Sequence, residues 1–342
     1  MTEDLQQIAE SLVAPSRGIL AADESTGTIE KRLSSINVPS TEENRRAYRE
    51  LLFTTEAAAP YISGVILYDE TLRQSAADGT SFPELLKRQG IVPGIKVDKG
   101  AKALAGADGE KVTEGLDGLR ERLGEYHELG ARFTKWRAVI AIGNGIPTRY
   151  SIDANAHALS RYAALSQEVG LVPIVEPEVL MDGDHDIERS REVTERTLSE
   201  VFRALFDQRV VLEQMLLKPN MVIAGSDCAE QNSVSEVADA TVACLRRVVP
   251  SAVPGVVFLS GGQSEEAATT HLNAMNARHH DLPWQLSFSY GRALQASALK
   301  AWGGSADNVS AAQKAYAHRA RLNGAARSGS YNDAMESKSA AA

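Results

Sequence analysis

Only two cysteines, Cys228 and Cys244, occur in 342 residues. That number builds neither a disulfide framework nor a cysteine-rich zinc site, and it suits a reducing cytoplasm. No stretch approaches the ~18 consecutive apolar residues of a membrane span. The opening MTEDLQQIAE is acidic and lacks the apolar run of a secretory leader. An excess of basic residues is missing too. Lys and Arg total 36 against 45 Asp and Glu, a net charge of −9. This argues against a broad nucleic-acid-binding face. It leaves room for a small anionic ligand, provided cations cluster locally against the overall charge. The seven histidines form no HxH or HExxH pattern, and no GxGxxG appears. What is present, 43% hydrophobic and 24% charged residues, is the composition of a globular protein and excludes a wholly disordered chain.

Eight apolar or β-branched runs punctuate the chain: 18–23, 61–70, 91–98, 133–142, 171–180, 216–225, 253–261 and 283–291. Their first residues lie 30 to 45 apart. Helical patterns fill the gaps, including 186–208 and 235–249, and an amphipathic helix is expected over 3–13. Ser40 followed by Glu43 reads as a capping box ahead of NRRAYREL. Eight alternating units predict a closed (β/α)8 TIM barrel, an α/β fold in a single domain over 1–323. The competing doubly wound sheet usually has fewer strands and a glycine-rich loop after its first strand, where this chain has AADESTGT. From 324 to 342 the sequence is small, polar and aperiodic, which predicts a flexible C-terminal tail.

Barrel strands are buried on both faces and should be apolar throughout. These strands break that rule near their C-terminal ends. Asp23 ends the first run, Lys96 and Asp98 the third, Lys135 and Arg137 sit in the fourth, Glu176 and Glu178 in the fifth, and Lys218 in the sixth. A spacing of two puts both members of a pair on one side of a strand. Burying isolated ions costs several kcal/mol each, so ion pairing alone explains any single lysine more readily than it explains the set at one rim. That rim is where barrel active sites lie. A lysine with like charges nearby has its ammonium form disfavoured, and a neutral amine attacks ketones to form an imine. Carboxylates supply the proton transfers. Ser260-Gly261-Gly262 before a helix, and Ser289-Tyr290-Gly291-Arg292, suit a phosphate. Ser25, Thr28, Lys31 and Arg32 form a second basic set, although Lys31 and Arg32 also fit a solvated helix face.

The segments GILAADESTGTIEKRL (18–33), GIKVDKG (94–100), FTKWR (133–137), LVPIVEPEVLMDGDHD (171–186), LLKPNMV (216–222), FLSGGQSEE (258–266) and FSYGRALQ (288–295) resemble class I fructose-1,6-bisphosphate aldolases. The resemblance implies a metal-independent aldehyde-lyase of glycolysis and gluconeogenesis with no cofactor. It further implies a cytoplasmic homotetramer acting on sugar phosphates. By the same resemblance Lys218 is the Schiff-base lysine, Glu176 the acid/base of imine formation and Asp23 the base at the C4 hydroxyl. Lys135 assists, with Glu178 and Lys96 in the charge network and Arg137 among the substrate contacts. Ser260, Gly261, Gly262, Ser289, Gly291 and Arg292 resemble one phosphate site. Ser25, Thr28, Lys31 and Arg32, joined by Lys96, resemble the other. Arg49 matches an arginine of the family linked to substrate binding, though its helix setting fits a solvated face. One departure stands out: family members often end in a tyrosine, whereas this chain ends SKSAAA and its last tyrosine is Tyr331. The competing functions are a sugar-phosphate isomerase on the same scaffold, a metal-dependent lyase and a non-enzymatic binding protein.

Overall fold

The computed structural model describes residues 4–340. Its strands are β1 (Gly18–Ala22), β2 (Ile62–Leu67), β3 (Val92–Lys96), β4 (Ala101–Ala103), β5 (Lys111–Thr113), β6 (Phe133–Ile140), β7 (Val172–Val179), β8 (Leu216–Leu217), β9 (Gly255–Phe258) and β10 (Gln285–Tyr290). Eight of them close into a parallel barrel in the order β1-β10-β9-β8-β7-β6-β3-β2. Each of the eight apolar runs read from the sequence supplies one barrel strand. The antiparallel pair β4–β5 stands apart from the barrel. It is too short and too exposed to leave a clear hydrophobic period.

The interior follows the two-residue period of a strand. Ile19, Ala21, Ile66, Phe133, Val172, Ile174, Leu216 and Val257 form one buried cluster inside the cylinder. Ala9, Leu12 and Val13 join it, so the N-terminal helix Leu5–Leu12 closes the end at which the strands begin. Residues 1–3 of the expected helical stretch lie outside the described residues. Full burial of Leu12 contributes roughly 1.5–3 kcal/mol. Gly94 shows how the interior is filled: a Cβ there would stand 2.3 Å from the Phe133 ring. Glycine is needed because the Phe133 ring fills the space a side chain would take.

The structure corrects one helix start. The helix Glu42–Phe53 is capped by Thr41, whose hydroxyl accepts from the Asn44 N–H at 3.2 Å. Ser40 instead receives Arg45 on its carbonyl, and Glu43 pairs with Arg46 at 2.9 Å. A reciprocal capping box does form at Ser233 and Glu236, ahead of the helix Val234–Val248. The boundary expected at 323/324 falls inside the helix Val309–Arg327. Arg327, buried, donates to the Val13 carbonyl at 3.3 Å, and Tyr331 is buried as well.

Candidate active site

On β1, β6, β7 and β8 the inward-facing series is apolar in its lower layers and ionic at the top. Along β6 it runs Phe133, Lys135, Arg137; along β7, Val172, Ile174, Glu176, Glu178; from β8, Leu216 then Lys218; from β1, Ile19, Ala21, Asp23. The parallel register sets Lys96 beside Lys135, Arg137 beside Glu176 and Val139 beside Glu178. The alternation that fills the barrel therefore also gathers its charges at the carboxyl ends of the strands.

Glu176 lies between two lysines. One carboxylate oxygen is 3.1 Å from Lys218 Nζ and the other 3.2 Å from Lys135 Nζ. Lys135 also meets Asp23 at 2.6 Å. All but Asp23 have side chains only 4% exposed, so water does little to screen them. Burial raises the Asp23 carboxyl, but Lys135 and then Lys218 outweigh it and hold it well below the usual range. Glu176 is likewise pushed up by burial and brought down further by Lys135, Lys218 and Arg137. Burial depresses Lys135, and the Asp23 and Glu176 carboxylates overcome this and raise it. Lys135 is thus a fixed cation. Lys218 touches a single carboxylate among the described residues, and it shares that one with Lys135.

Further along the rim, Arg137 pairs with Glu178, and Lys96 pairs with Asp98. Asp98 also accepts from the Gly100 N–H at 3.1 Å and the Arg137 N–H at 3.2 Å. Burial lowers the Arg137 guanidinium and Glu178 more than restores it, so the net direction is upward.

The loop after β9 carries Ser260, Gly261 and Gly262, the two glycines at φ +60° and +104°. Those left-handed conformations favour glycine. The loop leads into the helix Glu265–Arg278, whose cap Ser264 accepts from the Ala267 N–H at 3.0 Å. His271 on that helix holds the loop residue Gln263 at 2.6 Å. Across the rim, Ser289 has an unpartnered, buried hydroxyl oxygen among the described residues, and Arg292 opens the helix Arg292–Trp302. A Cβ on Gly291 would lie 3.6 Å from Arg32 Nη2. Arg32, expected with the second phosphate set, therefore reaches the first. In that second set the Ser25 and Thr28 hydroxyls are 3.2 Å apart and Lys31 is exposed.

The charged groups of the rim surround one cleft of about 1060 Å³. Every site residue expected from the sequence lines it except Arg49 and Gly262. Arg49 is neither in the cleft nor on a solvated face. It is 2% exposed and paired with Glu24 at 2.6 Å. Glu24, which sequence reasoning passed over, lines the cleft. So does a wall of Tyr68, Asp69, Arg73, Arg122, Glu125 and Tyr126, in which Arg73 bridges Asp69 at 3.0 Å and Glu125 at 2.6 Å. The YDE that follows β2 was the available signal for Tyr68 and Asp69. Arg73 ends the short helix Asp69–Leu72, and the helix Leu119–Glu128, which brings Arg122, Glu125 and Tyr126, gave no signal. Tyr331 is not part of the lining. Its hydroxyl donates to Glu336 at 2.8 Å, and burial together with that carboxylate pushes it up to about 12.

A parallel barrel with lysines, carboxylates and arginines converging at the carboxyl end of its strands defines an α/β-barrel enzyme for a small anionic substrate. The comparisons make this particular. A family model described as fructose-bisphosphate aldolase class-I matches residues 4–342. A probable fructose-bisphosphate aldolase class 1 of Xylella fastidiosa is 59% identical over 330 residues, covering 96% of this chain and 98% of that protein. Cytosolic fructose-bisphosphate aldolase 4 of Arabidopsis thaliana is 57% identical, covering 96% and 84%. A solved structure of Plasmodium falciparum fructose-bisphosphate aldolase superposes with a TM-score of 0.95 at 51% identity, covering 97% and 96% of the two chains. The chain belongs to the class I fructose-bisphosphate aldolases, metal-independent lyases built on a TIM barrel.

Proposed function

We propose that this enzyme cleaves fructose 1,6-bisphosphate reversibly through an imine on Lys218. The observation that carries the reading is Glu176, in reach of Lys218 at 3.1 Å and of the Asp23-bound cation Lys135 at 3.2 Å. Glu176, a carboxylate here, is the proton acceptor within reach of Lys218 Nζ, and loss of a proton to it leaves a neutral amine. The amine adds to the C2 ketone. Glu176 returns a proton to the carbinolamine oxygen, water leaves, and a protonated imine forms. Asp23, also ionised, removes the C4 hydroxyl proton. The C3–C4 bond breaks, glyceraldehyde 3-phosphate departs, and the bond's electrons flow into the iminium to give an enamine. Protonation at C3 and hydrolysis then release dihydroxyacetone phosphate. Lys135 stabilises the developing negative charge, while Glu178, Arg137 and Lys96 orient the chain between the phosphates.

The loops at Ser260–Gly262 and Ser289–Arg292, with Arg32 reaching in beside Gly291, take one phosphate, and Ser25, Thr28, Lys31 and Lys96 the other. The unpartnered Ser289 hydroxyl supports the first of these. We further infer a cytoplasmic homotetramer working in glycolysis and gluconeogenesis. Sedimentation of the purified protein at micromolar concentration tests the assembly, and a monomer would remove that inference. The chemistry is tested by borohydride reduction with dihydroxyacetone phosphate followed by peptide mapping. The adduct is expected on Lys218, with activity lost in step. Lys218→Arg should keep the charge and lose both adduct and cleavage. An adduct elsewhere, or none, would refute the imine on Lys218.

A further inference from the structure

Behind the phosphate arginine lies a buried ion group that the cleavage chemistry does not use. Glu24 is 4% exposed. One of its oxygens is 2.6 Å from Arg49, which is 2% exposed. The other receives Arg32, which is 21% exposed and faces the cleft. Gln295 donates to that same oxygen at 3.1 Å. It is itself fixed by the Ala21 carbonyl at 2.8 Å and the Tyr48 hydroxyl at 3.1 Å. The Arg49 guanidinium sits 5.9 Å from the centre of the Tyr48 ring.

The arithmetic of charge gives this group a task. Two guanidinium ions and one carboxylate leave a net charge of +1. The two innermost members are almost wholly buried, so the surplus is presented at Arg32, whose Nη2 lies toward Gly291. Without Arg49, Glu24 and Arg32 would be a closed, neutral pair. A neutral pair offers a phosphate much less than a free guanidinium does. We propose that Arg49 is a positioning residue, which neutralises Glu24 from behind so that Arg32 keeps its charge and its aim for the substrate phosphate. This rests on the imine reading above, which supplies the assay.

The test follows hydride trapping on Lys218 with two probes, fructose 1,6-bisphosphate and unphosphorylated dihydroxyacetone. In Arg49→Met the bisphosphate concentration for half-maximal trapping should rise about tenfold or more, the scale of one weakened charge-assisted contact. Trapping by dihydroxyacetone should be unchanged, because it needs no phosphate contact. Arg49→Lys, which keeps a cation toward Glu24, should fall between Arg49→Met and wild type. Tyr48→Phe, a milder change that loosens Gln295, should move the bisphosphate value in the same direction by less. A parallel loss with both probes would mean a merely structural role and overturn the proposal, as would no change with either. Failure of the wild-type protein to trap any ketone on Lys218 would instead overturn the imine reading itself.

Discussion

Two lysines stand over one carboxylate, and their surroundings separate their tasks. Lys135 is fastened by Asp23 and Glu176 and raised by them, so it stays an ammonium throughout. Among the described residues Lys218 pairs with Glu176 alone, the group that on the proposed mechanism takes its proton and gives it back. Glu176→Gln deletes that exchange but keeps the shape. Steady-state cleavage should fall by about 10²–10⁴-fold, the usual worth of a positioned acid or base. Lys218 should still be trapped by hydride, only more slowly. Unchanged turnover in Glu176→Gln would assign the proton transfers to another group.

At the scale of the element, the helix Glu265–Arg278 ties the Ser260–Gln263 loop to the core through His271 and Gln263. His271 is 7% exposed, and burial pushes it down to about 4 from 6.5. Since its folded value is depressed, the unfolded chain binds the extra proton first as pH falls. Stability should be full above about pH 6.5 and decline toward pH 4, by on the order of 3 kcal/mol from this group. His271→Gln should flatten that part of a urea-unfolding profile taken against pH. An identical slope in the variant would rule His271 out as its source. The same helix receives Arg319, which donates to the Glu265 carbonyl at 3.0 Å and to the Thr269 hydroxyl at 2.6 Å.

At the scale of the molecule, the first helix and the segment after the last long helix are both drawn onto the barrel. The first helix plugs the bottom. The last segment is held at Glu336, which accepts from Arg319 at 2.6 and 2.8 Å and from Tyr331 at 2.8 Å. Tyr331 has its hydroxyl engaged by that anchor and lies outside the cleft lining. Tyr331→Phe should cost about 0.5–1.5 kcal/mol of stability and leave adduct formation on Lys218 at the wild-type rate, read by thermal unfolding and by trapping. A loss of trapping with stability intact would return Tyr331 to the chemistry.

Sequence by itself determined the barrel, because eight buried runs at regular spacing have few other ways to hide both faces. It also determined the ionic rim, because a period of two carries Lys135, Glu176 and Lys218 onto the inward side that Phe133, Ile174 and Leu216 define. Local chemistry misplaced one cap by a residue, at Thr41 instead of Ser40, since neighbouring hydroxyls compete for the same N–H. What only the tertiary structure decided are contacts between distant strands and helices. Arg49 looks on its own helix like a solvated cation, and nothing near it in the chain announces Glu24 as a partner. Tyr331 looks like part of a loose tail until Asn273 and Glu336 are seen to hold it. Periodicity reports which way a side chain points, while the partner waiting there is set by how remote segments close around the barrel.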